Sequence, residues 1–234
     1  ACTGIGHTGD VKTNFTIPLS MENDKLMKGG SEWTKTNVSI TSSYSRDVYE
    51  LGNGTYYLNS DLDLVPDQIY ITGDVKLCLN GYSIAQRSIG GNPVYILESG
   101  TLTLTDCKGS GQEGKITHIG ADADGRGVIV RGTLNLYGGS ISDNTTFGGE
   151  TGESANNGGG VVVESTGTMN MYGGKITGNT ARVSTEDGKT SGGKGGGVYI
   201  YTGGTFNMSG GEITGNTAAQ SGGGVAVSSG ATFN

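Results

Sequence analysis

One phrase recurs along this chain and constrains its fold more than any other feature. It begins with threonine, alternates apolar and polar residues, and appears as TLTLTDC (101–107), TLNLYGGSISDN (133–144), TMNMYGGKITGN (168–179), TFNMSGGEITGN (205–216) and TFN (232–234). The steps between the leading threonines are 32, 35, 37 and 27 residues. Self-similarity at a period of about 20–50 residues indicates a solenoid or a propeller.

The alternation within each phrase has a period of two, which is typical of β-strands. In TFNMS, Phe206 and Met208 share one face and polar residues share the other. The same rule gives three inward columns: Leu102, Leu104, Leu134, Leu136, Met169 and Met171 with Phe206 and Met208; Ile116, Ile141, Ile176 and Ile213; and Val128, Val130, Val161, Val163, Val198, Ile200, Val225 and Val227. A propeller blade would need four antiparallel strands. We therefore predict an all-β parallel β-helix solenoid with three strands per coil.

Glycine and asparagine stand where such a coil must turn. Glycine contributes 46 of the 234 residues, mostly in clusters between the apolar runs, and it reaches left-handed backbone conformations without steric cost. Asn144, Asn179 and Asn216 hold equivalent places after the isoleucine strand. Asparagine also tolerates the left-handed conformation, and its amide can bond the next coil. These three residues are predicted to form an internal ladder.

The repeat also sets the predicted domain boundaries. Looser strand alternation continues upstream, so the β-helix is predicted over residues 51–234. Residues 1–50 carry no repeat, and this segment, which includes Trp33, is predicted to cap the first coil. The chain stops partway through a phrase at Asn234, which leaves a parallel edge open. We expect the β-helix to continue in a longer protein.

Charge and hydropathy exclude two classes of partner. The formal net charge is −7, and basic residues form no cluster. Nucleic acids and anionic membrane surfaces both need clustered lysine and arginine. No stretch approaches 18 consecutive apolar residues, so no transmembrane helix or direct membrane insertion is predicted. The sequence does not indicate an oligomeric state.

Two sets of motifs carry a resemblance to known families. GGGV (222–225) and ITGNTA (213–218) are similar to the repeat motifs of chlamydial polymorphic outer-membrane proteins, with Ile where that family prefers Phe. LCLNG (77–81) followed by TLTLTDCKGSG (101–111) resembles the right-handed β-helix repeats of large surface proteins from gut Firmicutes. The resemblance covers residues 50–234. It implies a right-handed coil and a secreted or cell-surface, adhesin-like bacterial protein.

Few residues suggest metal or redox chemistry. Asp122 and Asp124 form a D-x-D-G sequence that could bind calcium, although the other ligands of an EF-hand loop are missing, and a solvated loop is the alternative. No other cofactor is predicted. Cys78 is turned outward by the alternation, and Cys107 belongs near the adjacent coil. Either these two cysteines form a disulfide or they are two small buried thiols.

The outward rows of the predicted strands bear on catalysis. Glycan-cleaving β-helix enzymes need grouped carboxylates for acid–base chemistry or calcium. The threonine-led strands present threonine, asparagine, tyrosine and one serine outward, and none of these residues is acidic. The threonine and asparagine rows either bind ice or a glycan, or they hydrogen-bond along the axis and keep the coils in register. A catalytic site is therefore not predicted.

The strongest candidate for a binding surface lies where repeat length varies. The long loops fall at one corner, at 119–126, 145–157, 180–194 and 217–221. Beside them an outward strip is predicted, and it consists of Tyr95, Ile129, Val162, Tyr199 and Tyr201 with Arg131 and Glu164. An exposed apolar and aromatic strip between variable loops is typical of a binding surface on a rigid scaffold. The alternative is that the loops fold over the strip and bury it.

The sequence leads to one functional hypothesis and two alternatives. The hypothesis is a non-catalytic, surface-exposed adhesion or interaction module of a larger bacterial protein, which binds a host protein or a glycan through its loop-bearing side. The first alternative is part of a polysaccharide-degrading β-helix enzyme, either a lyase or a glycoside hydrolase. The second is a structural spacer that binds nothing.

Overall fold

A computed structural model describes residues 14–88, 90–108, 111–119, 125–146, 156–186 and 189–234, which form strands and turns with almost no helix. In these ranges no helix is long and apolar enough to cross a membrane. The N-terminal strands are β1 (Ile17–Glu22), β2 (Lys25–Lys28), β3 (Ser31–Glu32), β4 (Thr36–Thr41), β5 (Tyr44–Leu51), β6 (Gly54–Leu58), β7 (Leu62–Leu64), β8 (Ile69–Ile71), β9 (Asp74–Cys78) and β10 (Ser83–Gln86). The middle strands are β11 (Val94–Ile96), β12 (Thr101–Thr105), β13 (Lys115–His118), β14 (Val128–Val130), β15 (Thr133–Leu136), β16 (Ser140–Ser142), β17 (Thr145–Thr146), β18 (Val161–Val163), β19 (Thr168–Met171) and β20 (Lys175–Thr177). The last strands are β21 (Thr180–Ala181), β22 (Val183–Glu186), β23 (Lys189–Gly192), β24 (Val198–Ile200), β25 (Thr205–Met208), β26 (Glu212–Thr214), β27 (Thr217–Ala218), β28 (Val225–Val227) and β29 (Thr232–Phe233).

Three long sheets take one strand each from successive repeats. Sheet A has the order β28-β24-β18-β14-β11-β8-β5-β4, sheet B has β29-β25-β19-β15-β12-β9-β6-β1-β2-β3, and sheet C has β26-β20-β16-β13-β10-β7. From β5 onward the chain visits sheets A, B and C in rotation, and in the later repeats a short fourth sheet of β17, β21 and β27 lies between C and A. From β6 onward each strand of these four sheets pairs in parallel with its counterpart in the next repeat. The predicted all-β class is confirmed, and the long parallel sheets are compatible with a β-helix.

The repeat alignment gives the observed strand register. Leu134 pairs with Leu102 and Met169, and Met169 pairs with Phe206. These four side chains are fully buried in one core between the sheets, as are the isoleucines of sheet C from Ile116 to Ile176. The inward direction of the columns is confirmed except in the last repeat, where Val227 leaves 46% of its surface exposed and Ile213 and Val225 are partly buried.

Residues 14–51 combine parallel and antiparallel pairing. β1 pairs in parallel with β6, whereas β1–β2, β2–β3 and β4–β5 are antiparallel pairs. Trp33 is buried in the main core, and its ring lies 5.2 Å from that of Tyr49. The N-terminal strands therefore extend sheets A and B without continuing the sequence repeat.

Further along the chain, a two-stranded antiparallel hairpin of β22 and β23 interrupts the repeat.

An amide ladder runs through the protein beside sheet C. Asn144 Nδ2 donates to Asn179 Oδ1 at 2.9 Å, and Asn179 Nδ2 donates to Asn216 Oδ1 at 3.0 Å. Asn144 and Asn179 are fully buried. The expectation of left-handed asparagines at this corner is wrong, because the left-handed residues are the preceding ones in each repeat. They are Asp143, Gly178 and Gly215, with φ of 60°, 67° and 64°.

A second amide ladder lies on the outward face of sheet B. Asn170 Nδ2 donates to Asn135 Oδ1, Asn207 Nδ2 to Asn170 Oδ1 and Asn234 Nδ2 to Asn207 Oδ1, all at 2.8–2.9 Å. These amides bond along the axis of the repeats, so this row contributes to strand register. Tyr137 and Tyr172 stack beside the ladder with ring centroids 4.6 Å apart.

Candidate functional site

The predicted strip lies on the outward face of sheet A, but it is not exposed. Tyr95, Ile129, Val162 and Tyr199 occupy register-matched positions of neighbouring strands and expose only 8%, 6%, 1% and 8% of their surface. The expectation of an exposed strip is therefore wrong. The alternative of a covered strip describes the structure better, although part of the cover comes from an unexpected element.

Two elements cover the strip. Val38 of β4 and Val48 of β5 form a hydrophobic cluster, outside the main core, with Tyr95 and Ile129. Further along the strip, the loop backbone at Gly158 passes directly against Val162. The β4–β5 hairpin comes from the segment without repeats, so the alignment of the phrases gave no sign that it would lie here.

The cover leaves a groove of about 350 Å³, which we call the sheet A groove. Its floor is the outward face of sheet A, and one wall is the β4–β5 hairpin. Six of the seven predicted residues line it, namely Tyr95, Ile129, Val162, Tyr201, Arg131 and Glu164. Tyr199 lies outside the lining and packs edge-on against Tyr201, with ring centroids 4.7 Å apart. A second depression of about 510 Å³ adjoins the groove through Ile40 and Arg131, and its other charged residue is Glu98.

Several residues of the groove were not predicted. These are Ile40, Tyr44, Arg46, Gln68, Tyr70, Gly90, Asn92 and Arg126. Tyr70 had a sequence signal, because IYI (69–71) stands one repeat before VYI (94–96) and the two tyrosines pair in register. Arg46 had none, since it lies on β5 in the segment without repeats.

Aromatic rings and guanidinium groups are arranged closely in the groove. The rings of Tyr70 and Tyr95 stack with centroids 4.9 Å apart and an interplanar angle of 6°. Arg131 Cζ lies 5.5 Å from the centroid of Tyr95, within the range of a cation–π contact. Gln68 Oε1 accepts hydrogen bonds from Tyr70 Oη at 3.2 Å and from Arg46 Nη1 at 3.5 Å. These contacts order the polar side chains before any ligand arrives.

Burial raises the pKa of two tyrosine hydroxyls in the groove. It raises the pKa of Tyr95 to about 12, an effect that Arg131 opposes and Glu164 reinforces. Burial likewise raises the pKa of Tyr70, and the nearby Arg46 opposes this shift. Tyrosine hydroxyls keep their protons at neutral pH, and the raised pKa extends this protonated state of both residues further into the alkaline range.

The pKa of Tyr95 predicts a pH dependence of stability. A group whose pKa is raised on folding ionises first in the unfolded chain, so it lowers stability as pH rises. For Tyr95 the effect is absent below pH 9 and develops between pH 10 and 12, at about 1.4 kcal/mol per pH unit. We expect Tyr95→Phe to lose less stability over this range than the parent chain, measured by denaturant unfolding at each pH. Tyr172→Phe, at an exposed tyrosine, should follow the parent curve. Parallel curves for Tyr95→Phe and the parent would contradict the prediction.

The cysteines do not form the predicted pair. Cys107 is disulfide-bonded, whereas Cys78 keeps a buried thiol whose pKa burial raises to about 12. Of the two alternatives that the sequence left open, the disulfide between Cys78 and Cys107 is therefore not formed, and of the two buried thiols only that of Cys78 is present. Cys78 does lie on the outward face of sheet B, where Phe15 and Tyr57 cover it and Cys107 packs beside them. The apolar cover stabilises a thiol in that position.

Asp122 and Asp124, the candidate calcium ligands, lie outside the described residues. Among the residues that the structure does describe, no group of three or more His, Cys, Asp or Glu side chains could hold a metal ion.

Comparison with known proteins gives no match. No protein-family model, curated protein sequence or solved structure matches it at a significant level.

Proposed function

We propose that this chain is a non-catalytic binding module and that its ligand occupies the sheet A groove. One observation carries the proposal: six residues selected from the sequence as a binding surface line a single groove. Stacked tyrosines, ordered guanidinium groups and amides line the same groove, and such polar groups above an apolar floor are typical of a ligand site.

The scaffold we propose is a right-handed parallel β-helix with three strands per coil. The rotation of the chain through sheets A, B and C supports it. Residues 14–50 would close the N-terminal end of the coil and supply one wall of the groove through β4 and β5. In this arrangement the repeats give rigidity, and the irregular N-terminal segment and the corner loops give specificity.

The proposal favours binding over catalysis. Hydrolysis of a glycosidic bond generally needs a pair of carboxyl groups on either side of that bond. Glu164 is the one carboxylate in the described lining of the sheet A groove. A binding module needs no such pair. The resemblance to bacterial surface proteins adds the context that we propose: a secreted or surface-attached adhesin-like protein whose partner is a glycan or a host protein.

The experiment is a binding screen with paired variants. The full chain would be applied to an array of glycans and of host surface proteins, together with the double variant Arg131→Ala/Tyr201→Ala in the groove. The matched control is Arg87→Ala/Tyr172→Ala, because both residues are exposed and lie outside the groove. We expect the groove variant to weaken binding of each ligand at least tenfold and the control to bind as the parent does.

Two results would overturn the proposal. One is a ligand whose affinity is equal for the parent and the groove variant, although circular dichroism shows both folded. The other is degradation of a polysaccharide by the purified chain, which would restore the enzyme alternative.

A further inference from the structure

The sheet A groove is positively charged within an acidic protein. Among the described lining residues, Arg46, Arg126 and Arg131 stand with one carboxylate, Glu164, so the formal charge of this lining is +2. The whole chain has a formal charge of −7. It contains only five arginines, and three of them line this groove. A local charge opposite to that of the rest of the molecule favours an anionic ligand.

The type of cation narrows the ligand further. The part of the groove lining that the structure describes has arginines and no lysine. The planar guanidinium group binds carboxylates and similar oxyanions through two parallel hydrogen bonds. Among the described residues neither Arg46 nor Arg131 takes part in an ion pair. Arg131 is instead held near the ring of Tyr95, and Arg46 near the amide of Gln68. Both therefore have donors left for an anion.

The backbone around the groove argues against a peptide ligand. The strands of its floor, β8, β11, β14 and β18, each pair with a neighbour on both sides. An extended peptide binds by adding a strand to a free sheet edge, and none of these four floor strands offers one. An amphipathic helix needs a wide apolar surface, but Ile129 and Val162 expose only 6% and 1% of theirs.

The remaining polar groups suit hydroxyl-rich molecules. Gln68 and Asn92 supply amides, each able both to donate and to accept. Tyr70 and Tyr95 supply phenol hydroxyls, which keep their protons at neutral pH, and that of Tyr70 donates to Gln68 and can accept from a ligand. Sugars carry hydroxyl groups that pair with such side chains.

We infer that the sheet A groove binds an acidic glycan, in which some sugars carry carboxylate or sulfate groups. Arg46 and Arg131 bind the anionic groups, and the tyrosines and amides bind sugar hydroxyls. Arg126, whose Nε donates to the carbonyl oxygen of Asn157, adds positive charge. This inference rests on the proposed binding function and adds the chemical class of the ligand.

The test uses probes that share one sugar backbone and differ in their charged groups. An oligomer of a uronic acid, the same oligomer with its carboxyl groups reduced to alcohols, and a sulfated form of the reduced oligomer would be titrated against the full chain by calorimetry. We expect an acidic oligomer to bind at least tenfold more tightly than the reduced one, and the sulfated form tells carboxylate from sulfate recognition. Arg131→Gln should weaken binding of the preferred acidic oligomer about tenfold. Arg87→Gln, which changes an arginine outside the groove, should leave it unchanged.

The contrary outcomes separate this inference from the proposed function. Equal affinity for the acidic and reduced oligomers would overturn the acidic-glycan inference and leave the binding module intact. Binding of polyglutamate with no binding of either acidic oligomer would overturn it in favour of an acidic protein partner. Undiminished binding by both Arg131→Gln and the groove double variant would overturn both proposals. Since Arg131 is partly exposed, its replacement should not prevent folding, and a thermal melt checks this.

Discussion

Replacing Asn179 with leucine is expected to destabilise the protein by about 4–6 kcal/mol. The side chain is fully buried and takes part in four hydrogen bonds, three with atoms of Asn144 and Ile141 and the fourth with Asn216. Its Oδ1 accepts from the backbone N–H and from Nδ2 of Asn144, and its Nδ2 donates to the carbonyl oxygen of Ile141 at 2.9 Å. Leucine has a similar volume but cannot make these bonds. It removes the side-chain partner of the buried Asn144 N–H and of the Ile141 carbonyl oxygen, at about 1–3 kcal/mol each, and the bonds to Asn216 and to Asn144 Nδ2, which still donates to Ser142, at about 0.5–1.5 kcal/mol each.

The outer ladder supplies a matched control for this change. Asn207 occupies the same kind of position, with one amide bond to each neighbouring repeat. It is only partly buried, so water replaces the lost partners, and Asn207→Leu should cost about 1 kcal/mol or less. Denaturant unfolding of the two variants and the parent measures the difference. Equal losses at the two sites would show that burial of the ladder does not determine its contribution.

The repeat made the core of this protein predictable. Leu134, Met169 and Phe206 were placed in one inward column because alternation along each strand is strict and because the phrases align without gaps. Both signals are local, and each is repeated in the next phrase, so an error in one repeat would have been visible in the others. The pairing of Asn144, Asn179 and Asn216 followed from the same alignment.

The cover of the groove could not be predicted by these means. β4 and β5 lie in a segment without repeats, and their contact with Tyr95 joins residues distant in the sequence. An alternating pattern shows which side chains leave the core, but it does not show what packs against them afterwards. Tyr95 and Val162 were therefore identified as one surface, yet expected to be exposed. Arg46 was missed for the same reason, although it supplies part of the charge of the groove.

The cysteines show a related limit. Alternation placed Cys78 correctly on the outward face of sheet B, and proximity to Cys107 made a disulfide reasonable. The alternation does not show that Phe15 covers Cys78 together with Tyr57. Phe15 comes before the first strand, where the sequence offers no periodicity from which to place it. A tertiary contact of this kind cannot be predicted from an alternating pattern.

The second large effect is expected from Gly160→Ala, because the inner ladder also limits the size of the residue beside it. Gly160 directly precedes β18 and lies between two repeats. A β-carbon there would be 2.7 Å from the carbonyl oxygen of Gly197 and 2.8 Å from Nδ2 of Asn179. Neither neighbour can yield easily, since one is backbone and the other is held by the buried ladder. Overpacking of about 1–3 kcal/mol and a weakened ladder bond of about 1 kcal/mol together predict a loss of about 3 kcal/mol.

Gly224 provides the control, since it holds the corresponding position before β28. A β-carbon there would meet only Ile213 Cγ2, at an ordinary contact distance of 3.5 Å. Gly224→Ala should therefore be neutral, or slightly stabilising because alanine restricts the unfolded chain. Thermal and denaturant unfolding of both variants measures the contrast. If Gly160→Ala were as stable as Gly224→Ala, successive repeats would be able to move apart at this corner, and the buried asparagine ladder would not be what fixes their spacing.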